Sequence, residues 1–111
     1  MTTQELVDKA GLKALTKFTP RNVDGVFVSD MISDVMAGAR SGNLWLTVQT
    51  HKSIVPAANM VDVSAIVITS GKDVPKETVD LASRYDIAIF LTDAPTFEAV
   101  AKLFELGIRP K

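Results

Sequence analysis

The chain has 111 residues, the size of one domain that can bury roughly two-thirds of its unfolded surface without staples. Its 12 Lys and Arg stand against 13 Asp and Glu, a formal net charge of −1 with the two signs interspersed, so no basic stripe exists to grip nucleic acid. Cysteine is absent, which excludes disulfides and thiolate metal sites. No apolar run approaches the ~18 residues of a membrane span. The N-terminus, MTTQELVDKAG, is polar and lacks a signal-like apolar region, so the expectation is a cytoplasmic protein with no membrane partner. The apolar fraction is 47% and the mean hydropathy +0.21, an excess that points to a subunit interface and hence a homodimer.

In chain order, a short helix is expected over residues 3–10, stopped by Gly11, then a weak strand over 12–16 and a turn at 19–22. Four apolar runs follow, at 25–28, 44–48, 65–68 and 87–91. All but the first lack apolar/polar alternation, the mark of strands covered on both faces. Each run gives way to a helix-period stripe. The first is Met31, Ile32, Val35, Met36 and Ala39, stopped near Gly42, and the second is Ile54, Val55, Ala58 and Val61, with Pro56 tolerable in the first turn. The third is Val74, Thr78, Leu81, Ala82 and Tyr85, with Asp80 and Arg84 spaced for an i,i+4 pair on the opposite face. The last is Phe97, Val100, Ala101 and Phe104, closed by Gly107 and Pro110. Trp45, inside an apolar run, reads as core or interface rather than a stacking platform, and the methionines Met31, Met36 and Met60 read as core fillers. With no repeat or linker, residues 1–111 read as a single α/β domain: three layers, α/β/α, around a mostly parallel sheet of about five strands.

No phosphate loop, dinucleotide fingerprint, nucleophile elbow or paired-histidine metal motif occurs. What stands out is a polar cluster at the carboxyl end of each main strand, where open α/β sheets place ligands. The candidate ligand-binding residues are Asp30; Gln49, Thr50 and His51; Thr69, Ser70 and Gly71; and Thr92 and Asp93. Helix starts there would offer N–H groups to an anion, and Gly71 would let a ligand approach the backbone closely. The plain alternative is helix capping by Asp30, Ser53, Asp73 and Thr92 or Asp93. His51 invites an acid–base pairing with Asp30 or Asp93, or a shared metal, although a lone histidine at a strand end is more often structural.

Residues 46–71, LTVQTHKSIVPAANMVDVSAIVITSG, resemble the DRTGG domain family. Thr50 and His51 stand at the family's Asp-Arg positions, and Thr69, Ser70 and Gly71 at its Thr-Gly-Gly positions, so the threonine and the last glycine are retained. Short stand-alone members share V-x-V-S-D-[ML]-[IL]-S, T-x-Q-T-H and S/L-T-D with residues 26–33, 47–51 and 91–93. The resemblance implies an α/β/α fold like the N-terminal domain of HPr kinase/phosphorylase. It also implies a dimerising regulatory module of the kind found beside phosphotransacetylase domains and between CBS modules of pyrophosphatases, with chemistry in a partner enzyme.

The expected function is therefore regulation or ligand sensing without catalysis or cofactor, the ligand being a nucleotide or other anionic metabolite. The rivals are a small enzyme built on His51 with Asp30 or Asp93, and a protein-binding adaptor.

Overall fold

The structure is a computed structural model and describes residues 1–110. Helix α1 (Thr3–Ala10) starts at a reciprocal cap: the Thr2 hydroxyl accepts from Glu5 N–H at 3.2 Å, and the Glu5 carboxylate accepts from Thr2 N–H at 3.1 Å. Gly11, at φ +66°, ends it. The weak strand shrinks to β1 (Lys13–Ala14), and Thr16 prolongs its attachment with a side chain. The Thr16 hydroxyl donates to Ile87 O at 2.8 Å and accepts from Ile89 N–H at 3.0 Å.

Then come β2 (Val26–Val28), α2 (Ile32–Gly38), β3 (Leu44–Thr47), α3 (Ile54–Val61), β4 (Ala65–Ile68), α4 (Lys76–Arg84), β5 (Ile89–Leu91) and α5 (Thr96–Glu105). The sheet order is β1-β5-β4-β3-β2, with every pair parallel except β1 with β5. After β1 the chain crosses to the far edge, and from β2 to β5 it winds steadily back, each crossover joining neighbouring parallel strands. Crossovers of one hand then place α2, α3 and α4 on the same face.

The core is divided accordingly. Trp45, Ile66, Ile68 and Ile89 meet Val35, Ile54, Val55, Ala58 and Ala82 of those helices. On the other face Leu44, Leu46, Val67 and Phe90 meet Leu6 of α1 and Ala99 and Leu103 of α5. The expected three layers around a five-stranded, mostly parallel sheet are what the structure has, with helices split three to two.

Several local expectations fail, for reasons of packing. Helix α5 buries Ala99 and Leu103, one residue out of phase with the expected stripe, and turns Phe97 (83% exposed), Ala101 and Phe104 outward. Small residues against the sheet let the helix sit close, whereas two phenylalanines would hold it off. Met31, Met36 and Met60 are exposed rather than core, and Tyr85 is also outside. Asp80 pairs with Lys76 at 3.1 Å, not with Arg84. Trp45 is fully buried as expected. Gly38, within α2, lies so close over Phe27 that an added Cβ would fall 2.8 Å from the ring, so the β2–α2 contact requires glycine there.

Candidate functional site

The candidate residues lie along one edge of the sheet, where β2 to β5 end. Most are built into its frame. At the end of β2, the Asp30 carboxylate accepts from the Thr47 hydroxyl and from Val48 N–H, both at 2.9 Å, and so ties the ends of β2 and β3 together. Thr47 in turn accepts from Gln49 N–H at 3.0 Å. Asp30 therefore does not cap α2. The Ser29 hydroxyl does the nearest equivalent, accepting from Met31 N–H at 3.1 Å, while the Ser29 carbonyl accepts from Trp45 Nε1–H at 2.8 Å.

Following β3, Gln49 is exposed and Thr50 is half-buried. The Thr50 carbonyl accepts from the buried Thr78 hydroxyl of α4 at 2.8 Å, which pins this loop to the helix layer. His51 is exposed, and its Nδ1 accepts from Ser53 N–H at 3.1 Å while lying 2.9 Å from the Ser53 hydroxyl. Because a backbone N–H can only donate, Nδ1 is the acceptor and the neutral ring carries its proton on Nε2. His51 also offers its carbonyl to Ile54 N–H, and Lys52 offers its own to Val55 N–H. With Pro56 next, the start of α3 has spent the donors that were expected to meet an anion.

The ends of β4 and β5 are joined differently. Ser70 and Gly71 both take left-handed backbone conformations, at φ +64° and +62°. Ser70 N–H donates to Ala94 O at 2.9 Å and Gly71 N–H to Thr92 O at 3.0 Å. These two donors belong to the neighbouring loop. The space beside Gly71 is filled as well, since an added Cβ would stand 3.0 Å from Asp93 Oδ1. Gly71 thus serves loop packing, with the Asp93 carboxylate beside it. Thr69, fully buried, shares a 2.7 Å hydrogen bond with the Thr96 hydroxyl, and the Thr92 hydroxyl accepts from Ala94 N–H at 3.2 Å. Asp73 and Thr92 or Asp93 are not caps either, because α4 and α5 begin at Pro75 and Pro95. Ser53 occupies the N-cap position of α3 without a side-chain cap.

Of the candidate side chains, those of Gln49, Thr50, Ser70 and Asp93 and the Nε2 side of His51 make no bond into the frame; of these Gln49, His51 and Asp93 are exposed and carry the strongest recognition groups. The structure does not assemble His51 with Asp30 or Asp93. Asp30 is taken by Thr47 and Val48, and β3 and β5 are two strands apart, about 10 Å at the usual spacing. Among the described residues no three acidic or histidine side chains gather as a metal set. Sequence reading missed Thr47, Thr78 and Thr96. Each is a hydroxyl at an otherwise apolar or half-buried position, and that mismatch was the available signal.

No family model matches the chain, and no curated protein does. In solved structures it resembles the regulatory region of Clostridium perfringens pyrophosphatase, which holds CBS and DRTGG domains and was crystallised with the activator diadenosine tetraphosphate. The TM-score is 0.70 at 18% identity, over 91% of this chain and 45% of that one. The chain therefore spans under half of that regulatory region and shares its fold.

Proposed function

We propose that residues 1–111 form a DRTGG-type regulatory module that pairs with a second copy and senses an anionic metabolite, a nucleotide first, on behalf of a partner enzyme. One observation carries the non-catalytic part of this reading. His51, the chain's single histidine, has its Nδ1 engaged by Ser53 and touches neither Asp30 nor Asp93. A general base needs its acceptor nitrogen aimed at substrate, and here that nitrogen ends a turn. The fold likeness to a regulatory region supports the regulatory part, and the retained Thr69 and Gly71 support the family. Pairing is supported by the exposed methionines Met31, Met36 and Met60 on and beside α2 and α3.

The ligand reading rests on Gln49, His51 Nε2 and Asp93, which project no bonds into the frame and sit along one strand-end line. A nucleotide at ~100 times its dissociation constant adds about 2.7 kcal/mol of stability, a melting shift of roughly 10 °C for a domain this size. Gln49→Ala with Asp93→Ala removes that shift and leaves the unliganded melting temperature unchanged. A nucleotide and metabolite screen with no shift, or a hit untouched by the double substitution, sinks the sensing reading. Light scattering over a dilution series tests the pairing, and a monomer at micromolar concentration rejects it.

The adaptor reading draws on a separate observation, the outward Phe97 and Phe104 of α5. It becomes the better account if the screen is blank while Phe97→Asp abolishes binding to the partner enzyme.

A further inference from the structure

On the sheet face opposite His51, a cavity of about 60 Å³ opens between the α1–β1 turn and α5. Its walls are mainly apolar: Leu12 on one side, Val67 of β4 and Ala94 between, and Ala99 and Leu103 of α5 on the other, with Thr92 the one uncharged polar residue. The volume is several times what one water needs and under half of the ~150 Å³ that admits benzene, so it suits a short alkyl group. A mainly apolar cavity of this kind holds water poorly, because its Leu, Val and Ala walls offer no hydrogen bonds and the Thr92 hydroxyl already accepts from Ala94 N–H.

Two charges stand at the rim. Glu98 and Lys102 both line the opening, four residues apart on α5, in the order that normally favours an ion pair along a helix. They do not make that pair. Elsewhere the molecule forms the comparable contacts Lys9–Glu5 and Lys76–Asp80, yet among the described residues Glu98 and Lys102 have no ion-pair partner. A carboxylate and an ammonium, carried by residues whose backbones stand about 6 Å apart along the axis, thus flank one cavity.

We propose that this cavity is a binding site for a small zwitterion with a short alkyl side chain, the chemistry of an aliphatic α-amino acid. The ligand's ammonium meets Glu98, its carboxylate meets Lys102, and its alkyl group fills the space over Val67, Ala99 and Leu103. A site of this composition discriminates by requiring all three parts at once. Glycine leaves the cavity empty, an aromatic side chain exceeds it, and a simple amine or acid leaves one rim charge unmatched. The site lies across the sheet from the β3–α3 loop and shares only Thr92 with the strand-end set, so its probes and variants test it separately from Gln49, His51 and Asp93.

The test is a titration of the isotope-labelled full chain with L-valine, L-leucine, glycine, isobutylamine and isobutyrate, followed by methyl and amide NMR. Valine or leucine is expected to move the methyl signals of Leu12, Val67, Ala99 and Leu103 saturably, at least about tenfold more tightly than the other three probes. Glu98→Gln with Lys102→Gln, two surface changes that leave the fold alone, weakens that binding at least about tenfold. Ala99→Val fills the cavity and abolishes it; should that variant fail to fold, the rim variant decides. The proposal is overturned if valine and leucine leave the cavity methyls still at about 50 mM, far above a millimolar dissociation constant. It is equally overturned if isobutylamine or isobutyrate binds as tightly as valine, or if the rim variant binds unchanged.

Discussion

At the β2–β3 end of the sheet one carboxylate closes the gap, Asp30 taking a hydroxyl and an amide from the neighbouring strand. At the β4–β5 end the backbone does it, with Ser70 and Gly71 in left-handed conformations donating into the next loop. The topology explains the difference. The helices after β2, β3 and β4 go to one face and the helix after β5 goes to the other, so only between β4 and β5 do adjacent connections part. A crevice at such a parting is where α/β folds commonly take ligands. Here the two loops are stitched across it. Of the uncommitted groups, Gln49 and His51 Nε2 stand to one side of that seam, after β3, and the Asp93 carboxylate lies in it beside Gly71.

The comparison predicts unequal penalties. Asp30→Ala removes both bonds and leaves the Thr47 hydroxyl, at 1% exposure, without its acceptor, and the expected cost is about 2–3 kcal/mol. Asp30→Asn keeps an acceptor oxygen and should cost about 1 kcal/mol. Urea titrations at unchanged slope measure both. A loss below about 0.5 kcal/mol for the alanine would mean that the carboxylate does not hold the two strands together.

Next in size is Gly71→Ala, which places a Cβ 3.0 Å from Asp93 Oδ1 on a backbone at φ +62°. About 1–2 kcal/mol is expected, part from the left-handed conformation and part from the contact. Combining it with Asp93→Gly isolates the contact, because the conformational part persists when the carboxylate is gone. Full recovery in the double variant would show that the backbone at Gly71 is not under demand at all.

Much of this was legible in the sequence. The three runs at 44–48, 65–68 and 87–91, apolar but for Thr47, supplied the buried centre of the sheet, because strands covered on both faces have no polar side to show. The helix expected over 3–10 and its stop at Gly11 are α1 as found. In α5 the reading went astray by one residue: 96, 99, 100 and 103 are as periodic as 97, 100, 101 and 104, and size favoured the phenylalanines. Only the tight fit against the sheet selects alanine and leucine. The strand-end residues were located correctly but their roles were not legible. Whether Asp30 caps its own helix or reaches the adjacent strand depends on what stands beside β2, and strand order is a property of the whole chain. The same holds for Gly71, whose neighbour Asp93 lies on the loop of another strand.

The smallest effect expected is at the opposite border of the sheet, where Asp86 repeats the Asp30 device in full solvent. Its carboxylate accepts from Thr19 N–H at 2.8 Å and so fastens the segment after β1 to the approach of β5. The Thr19 hydroxyl and amide hold this carboxyl below its ordinary value of 3.8, with a further contribution from Arg21. A pKa lower in the folded than in the unfolded chain stabilises the fold fully above the unfolded value. That contribution disappears as pH falls through the folded value. Glu5, held down by the Thr2 amide and hydroxyl, follows the same sign, so acid destabilisation of the native chain sums both. Asp86→Asn separates them. Its stability should run slightly and evenly below that of the native chain above about pH 5, and the gap should close as pH drops below about 4. Exposure keeps the gap small, because solvent screens the Asp86 carboxylate. A gap that stays constant down to pH 2 would mean that the Thr19 contact acts through shape alone and not through the charge.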